Sequence, residues 1–384
     1  MKTFLKTSVL SIMILGALSC NANAKPKKDT ASIIEKTKNS EEKKQYIKVA
    51  LLLDTSNSMD GLIDQAKAQL WEIVNELSYA KCEEKKPNLQ IALYEYGNDR
   101  LNGDEGYIRQ VLGFSNDLDE ISKELFSLTT NGGSEYCGHV IRTSLNQLNW
   151  GNNEDDLKMI FIAGNEPFTQ GKISYKDAAK IAHKNDVTVN TIFCGDYNQG
   201  ISSYWKDGAD LTHGDYMAIN HNKATVHIAS PYDNTILELN IKLNKTYVGY
   251  GKIGKEKIAM QAEQDANAIS YSSANGVSRT VSKSSHLYKN SSWDLVDAEE
   301  TEDFKYEDLK EEQLPKELKG KSKSQIKSYI AKKRAERKAI QKQIQDLNLR
   351  RRDYIKSKSK TNNGLESAMI EAIKSQAKKK NYQW

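Results

Sequence analysis

The chain has 384 residues, 38% hydrophobic and 28% charged, with a net charge of +5. That length holds one large domain or two modest ones. The apolar content supports a packed core, the charged content sets part of the chain outside it, and no segment beyond the N-terminus is apolar enough to cross a membrane. The charge is unevenly spread: residues 316–384 carry 21 Lys+Arg and 6 Asp+Glu, net +15, so the remainder holds 35 basic and 45 acidic residues, net −10. An acidic body with a basic tail predicts two physical objects on one chain.

Residues 1–24 read as an export signal, with Lys2 and Lys6 ahead of an apolar run from Val9 to Leu18. Two cleavage readings stand: after Ala24 at Ala22-Asn23-Ala24, or before a lipidated Cys20 in Ala17-Leu18-Ser19-Cys20, which resembles a loose bacterial lipobox. Either one predicts an exported body, periplasmic or held at a membrane of the cell envelope by a lipid. Residues 25–44 are charged and aperiodic, a tether.

The run Ile47 to Leu53 is almost wholly apolar and predicts a strand covered on both faces. Residues 60–80 place Leu62, Ala66, Leu70, Ile73, Val74 and Leu77 at helical spacing. LQIALYEY (89–96) and YIRQVLGF (107–114), joined by the turn-rich GNDRLNGDEG, predict a hairpin at a sheet edge. Helices follow at 117–128, 138–148 and 175–184, and strands at 157–163, 187–194 and 215–220. Such alternation predicts an α/β, Rossmann-like, three-layer fold with a mostly parallel sheet, whose ligands bind at the carboxyl ends of the strands. Residues 226–300 predict one helix (232–247) and an irregular connector rich in Ser, Lys and Asn. The region 301–384 predicts a basic helical tail, in which Ile326, Ile330, Ile340, Ile344, Leu347 and Tyr354 share a 4-3 register. Lys333, Arg337 and Arg351 interrupt that seam, so the helix is expected to pair weakly as a coiled coil or to lie solvated.

The chemistry concentrates where the first strand ends, at LLLDTSNSMDG (51–61). A carboxylate followed by hydroxyls at i+2 and i+4 offers oxygen ligands to a hard divalent cation from a single loop. The competing reading is that Ser56 and Ser58 cap the following helix. An EF-hand is excluded, because its sixth and twelfth positions would be Met59 and Gln65.

Asp54-x-Ser56-x-Ser58 after a hydrophobic first strand resembles the metal-ion-dependent adhesion site of von Willebrand factor type A domains. The resemblance covers residues 45–225 and includes the edge hairpin and the glycine pair of TTNGGSEYCG. It implies Ser134 as a further metal ligand, with Thr130 as the substitute. It also implies a protein partner whose acidic residue completes the shell of Mg²⁺ or another divalent cation such as Mn²⁺ or Ca²⁺. One departure stands out: the family's fourth strand ends in Thr-Asp-Gly, whereas Ala163-Gly164-Asn165 puts glycine in the acid's place, leaving Asn165 or Glu166 to reach back. GNEPFTQG, EYCG and SWDLVDA resemble marks of exported bacterial proteins with one such domain and a basic helical tail.

Several patterns carry no chemistry. GYGKIGKE (249–256) approaches a phosphate loop but ends on Glu256 where Ser or Thr is needed, so a turn is expected. No nucleophile elbow, paired-histidine or C-x-x-C spacing is present, and no enzymatic reaction is expected. Cys137 and Cys194 both fall near the site end of the sheet, where a disulfide or two buried free thiols are the alternatives. Export argues against a nucleic-acid partner for the basic tail. The alternative to metal-dependent binding is a structural envelope protein with a degenerate metal site that interacts through that tail.

Overall fold

The structure is a computed structural model that describes residues 44–358, apart from 83, 224 and 226, and residues 364–384. The expected signal, Cys20 and all but the last residue of the tether lie outside the described residues. Among those described, no helix is long and apolar enough to cross a membrane.

The first strand, β1 (Tyr46–Asp54), is buried along nearly its whole length because it sits inside the sheet. Its alternate side chains feed two cores: Val49, Leu51 and Leu53 face one layer, Ala50 and Leu52 the other. In chain order there follow α1 (Asp60–Leu77), a short β2 (Lys81–Cys82), β3 (Asn88–Tyr96), β4 (Ile108–Ser115), α2 (Leu118–Ser127), α3 (Cys137–Gln147), β5 (Leu157–Gly164), α4 (Tyr175–Lys184), β6 (Thr188–Cys194), α5 (Tyr197–Ser202), α6 (Trp205–Asp210) and β7 (Tyr216–Ile219). The six-stranded sheet has the order β4-β3-β1-β5-β6-β7. Only β4 is antiparallel, at one edge, as the hairpin pattern predicts. The chain steps from β1 to β3 on one side and to β5 on the other, so the order reverses at β1 and Asp54 lies in the crevice this creates.

Between residues 250 and 300 the structure departs from the expected connector. The connector expected to be irregular contains α8 (Gly254–Tyr271), α9 (Ser273–Lys283) and α10 (Leu295–Ala298), after α7 (Asp233–Asn244). Only the turn at Gly251, with φ +73°, behaves as expected. The Ser and Asn content that suggested a loop belongs instead to a buried polar interface between α9 and α1. There Ser282 Oγ donates to Asn75 Oδ1 (2.7 Å) and Asn75 Nδ2 donates to the Ser278 carbonyl (2.9 Å). Beneath it, Arg279 bridges Asp119 (2.8 Å) and Asp265 (2.5 Å), and Lys283 reaches Asp265 at 2.9 Å.

The basic helix is real but not free. It is α11 (Lys323–Lys358), and its seam packs on α7, α9 and α10 of the same chain. Ile326, Ile330 and Ile344 are buried as the register predicts. The basic residues that interrupt the seam are paired rather than solvated. Arg337 meets Asp294 and Asp297, each at 2.7 Å, and stacks on Tyr247, while Arg351 meets Asp233 at 3.1 Å. The last helix, α12 (Leu365–Lys378), covers β5, β6 and β7 beside α1, and β8 (Tyr382–Gln383) pairs with β2. The tail thus completes the layer on one face of the sheet.

Candidate metal centre

β1 hands its terminal Asp54 to a loop held by the backbone of the next strand, where Thr55 N donates to the Tyr96 carbonyl (2.9 Å). Asp54 Oδ1 accepts from Ser56 N at 2.7 Å, folding the loop back over the carboxylate. A single 3-10 turn, Asn57–Met59, then leads into α1. Ser56 makes no capping hydrogen bond, and the residue before α1 is Met59, so helix capping does not explain the two serines. Their hydroxyls face each other instead, with Ser56 Oγ and Ser58 Oγ 3.3 Å apart.

Asn165, from the loop after β5, joins this group: its Nδ2 donates to Ser58 Oγ at 3.3 Å and its Oδ1 is buried without a partner. Glu166 lies beside Glu135, its backbone N–H within hydrogen-bonding reach of that carboxylate and its carbonyl accepting from Trp205 Nε1 (2.8 Å). Thr130 is engaged elsewhere, hydrogen-bonded to Asp60. Ser134 is half-buried in the same loop, and its hydroxyl has no hydrogen-bond partner among the described residues. Ser58 is exposed and Asn165 half-buried, so the cluster opens to solvent on that side.

One residue at the centre was not singled out from the sequence. Glu135 follows Ser134, is 4% exposed, and lies within hydrogen-bonding reach of both Asp54 and Ser56. It is placed there by a close backbone approach: Asp99 N donates to the Gly132 carbonyl (2.5 Å), and a Cβ on Gly133 would lie 2.4 Å from the Gly97 carbonyl oxygen. Glu135 N also donates to Gln170 Oε1 at 2.7 Å. Asp54 is wholly buried, and neither its Oδ2 nor Glu135 Oε2 receives a hydrogen bond. Burial, followed by the neighbouring Glu135, pushes the Asp54 carboxyl well above its ordinary range, and burial raises Glu135 as well.

Gly164 stands where the resemblance expects an acid, and the packing explains why it is glycine. A Cβ there would lie 2.6 Å from the Tyr96 hydroxyl and 3.1 Å from Asp54 Oδ2. The Tyr96 hydroxyl, which donates to the Ala163 carbonyl (3.0 Å), fills that space.

Of the two alternatives for Cys137 and Cys194, the structure has the free thiols, both buried. They serve opposite cores, Cys137 packing with Ala50 and Leu52, Cys194 with Val49 and Leu51, so the sheet lies between them.

A hard divalent cation prefers oxygen donors, and the donor set is compatible with one: two carboxylates, two facing hydroxyls and an amide oxygen, three of these groups with an orphaned buried oxygen. Among the described residues no group of three or more His, Cys, Asp or Glu side chains is arranged to hold a metal, so the fit rests on hydroxyl and amide oxygens beside the carboxylate pair.

Residues 48–203 match the family model of the von Willebrand factor type A domain. Similar solved structures include a conserved hypothetical protein, BatB, from Bacteroides thetaiotaomicron, at 16% identity and a TM-score of 0.35, covering 45% of this chain and 90% of that one. They also include the SpRpn10 VWA domain, at 15% identity and a TM-score of 0.34, covering 45% of this chain and 87% of that one. A third is an aerotolerance-related membrane protein from Bacteroides fragilis, at 16% identity and a TM-score of 0.31, covering 46% of this chain and 93% of that one. No curated protein matches the chain. The match to the von Willebrand factor type A domain is thus carried by residues 48–203, which hold most of the parallel sheet.

Proposed function

We propose that this chain is a binding module of the cell envelope that holds a divalent cation at Asp54, Ser56 and Ser58 and offers it to an acidic residue of a protein partner. Domains of this family commonly mediate protein–protein interaction and often bind a divalent metal. The observation that carries the reading is the buried carboxylate of Asp54, whose Oδ2 has no partner at the solvent-facing crevice of the sheet. A buried charge is costly unless paired or bound to a metal. Asp54 is the anionic anchor, Ser56 and Ser58 supply hydroxyl oxygens, Asn165 lends its orphaned Oδ1, and Ser134 closes the shell from the loop before α3. The ion, Mg²⁺ or alternatively Mn²⁺ or Ca²⁺, supplies Lewis-acid attraction for the partner's carboxylate. The exposed Ser58 side of the cluster is where that carboxylate enters.

We assign no catalytic role to the crevice. The leader at 1–24 supports export, with Cys20 as the lipid anchor where that cysteine is retained. The alternative, a basic helix acting as the interacting element, is disfavoured because the inner face of α11 is already used against α7 and α9.

The test is a thermal melt. Wild type in millimolar Mg²⁺ or Mn²⁺ should melt higher than in EDTA, by the linkage of ion binding to folding. Asp54→Ala should lose that increment and also lose any EDTA-sensitive capture of an envelope partner. A wild type indifferent to both ions contradicts the proposal.

A further inference from the structure

Every other buried carboxylate in the described residues has a donor that accounts for it. Glu95 pairs with Arg109 (2.5 Å), Asp119 and Asp265 with Arg279, Asp233 with Arg351, and Asp294 with Arg337. Asp156 accepts from Tyr46 N (2.9 Å) and Asn153 Nδ2 (3.0 Å). Asp54 and Glu135 differ: among the described residues neither has a basic partner, their donors are neutral groups of Ser56 and the Glu166 backbone, and each keeps one orphaned oxygen where the two side chains meet. Two ionised carboxylates repel, so their approach is favourable only when a shared proton or a cation lies between them, and a cation at millimolar concentration competes for the proton's place. The packing forces the approach. The same spot beside Gly97 would bring a Cβ within 2.7 Å of Glu135 Cγ and 2.8 Å of Asp54 Oδ1, and Gly97 itself sits at φ +79° to leave both side chains room.

We propose that Glu135 is a direct ligand of the cation and supplies the second negative charge that the fourth strand, ending in Gly164, lacks. The acid has moved from the strand to the loop before α3, and the vacated place at position 164 is filled by the Tyr96 hydroxyl. Glu135 reaches the ion from the buried side of the cluster, opposite the exposed Ser58, so it binds without blocking the partner's entry. This assignment rests on the cation reading of Asp54 and adds to it a residue from outside the D-x-S-x-S loop.

Isothermal titration of the full exported chain with Mn²⁺ tests it, using wild type, Asp54→Ala, Glu135→Gln and, at similar volume, Glu135→Met. The expected result is binding by wild type, none by Asp54→Ala, and affinity weakened on the order of tenfold or more in both Glu135 variants, as one carboxylate is lost to a dication. In EDTA, Glu135→Gln should melt no lower than wild type, because it relieves two facing acids. Unchanged Mn²⁺ affinity in the Glu135 variants, with Asp54→Ala inactive, overturns the role of Glu135 and leaves the cation reading standing. A lower melting temperature for Glu135→Gln in EDTA overturns it too, by making Glu135 a structural hydrogen-bonding residue. Absence of Mn²⁺ binding by wild type overturns both readings.

Discussion

The residues of the crevice show how a single hydroxyl can decide a neighbour's identity. Tyr96 is fully buried at the end of β3, and its hydroxyl takes the volume that a side chain at position 164 needs. Gly164→Ala should therefore destabilise the protein by about 1–3 kcal/mol through overpacking, measured by urea unfolding; a neutral effect would mean that the crevice yields. Asp54, Ser56, Ser58 and Asn165 were legible as site candidates because three of them share one short stretch at the end of β1 and the fourth directly follows β5. Glu135 was not legible. Its neighbour Ser134 matched the family pattern, and nothing in a linear sequence says that the acid beside it points inward while Ser134 stays half-buried. The choice between a disulfide and free thiols at Cys137 and Cys194 stayed open for a related reason, since proximity to the same end of the sheet does not tell which face a residue serves.

At the scale of elements, the sequence pattern located β1, β3 to β7 and α1 to α4, because each buries apolar side chains in a sheet-centred core, and it missed the two-residue β2. It missed α5 and α6, six residues each and too short for a period to register. It misread α8 and α9 because they are held by paired polar groups rather than an apolar stripe. Asp265 shows the consequence. Burial opposes its charge, but Arg279 and Lys283 outweigh burial and hold its carboxyl well below the ordinary value of 3.8. A depressed carboxyl contributes stability above its unfolded pKa and loses it as pH falls through the folded value. Stability should thus decline below about pH 4. In Asp265→Asn the protein should be about 3–5 kcal/mol less stable at pH 7, since buried Lys283 loses its only carboxylate and Arg279 keeps Asp119 alone, and the acid decline should be shallower. Denaturant unfolding across pH measures both; an acid slope unchanged in the variant would contradict the account. Arg337→Met should cost a similar amount, about 3–5 kcal/mol, by leaving Asp294 and Asp297 buried without a cation.

For the whole molecule, the charge asymmetry suggested a body and a separate tail, and the structure contradicts that division. A 4-3 register reads the same whether its partner is another chain or the chain itself, which is why the seam of α11 was seen and its target was not. The stretch 48–203 ends before β7, and the cover for β5–β7 beside α1 comes from α12, far along the sequence. Removing residues 365–384 should therefore expose Leu365, Met369 and Ile373 together with the sheet face they cover, and yield an aggregated or molten product. Size-exclusion chromatography and near-ultraviolet circular dichroism check this; a monomeric, natively packed product would restore the picture of a dispensable tail.

The most direct test of the central claim, a cation held at the end of β1, is the anomalous scattering of a crystal soaked in Mn²⁺. The account predicts one strong anomalous peak bounded by the side-chain oxygens of Asp54, Ser56 and Ser58, with Glu135 on its buried side. A well-ordered crevice without a peak, or a peak at another place alone, would contradict it.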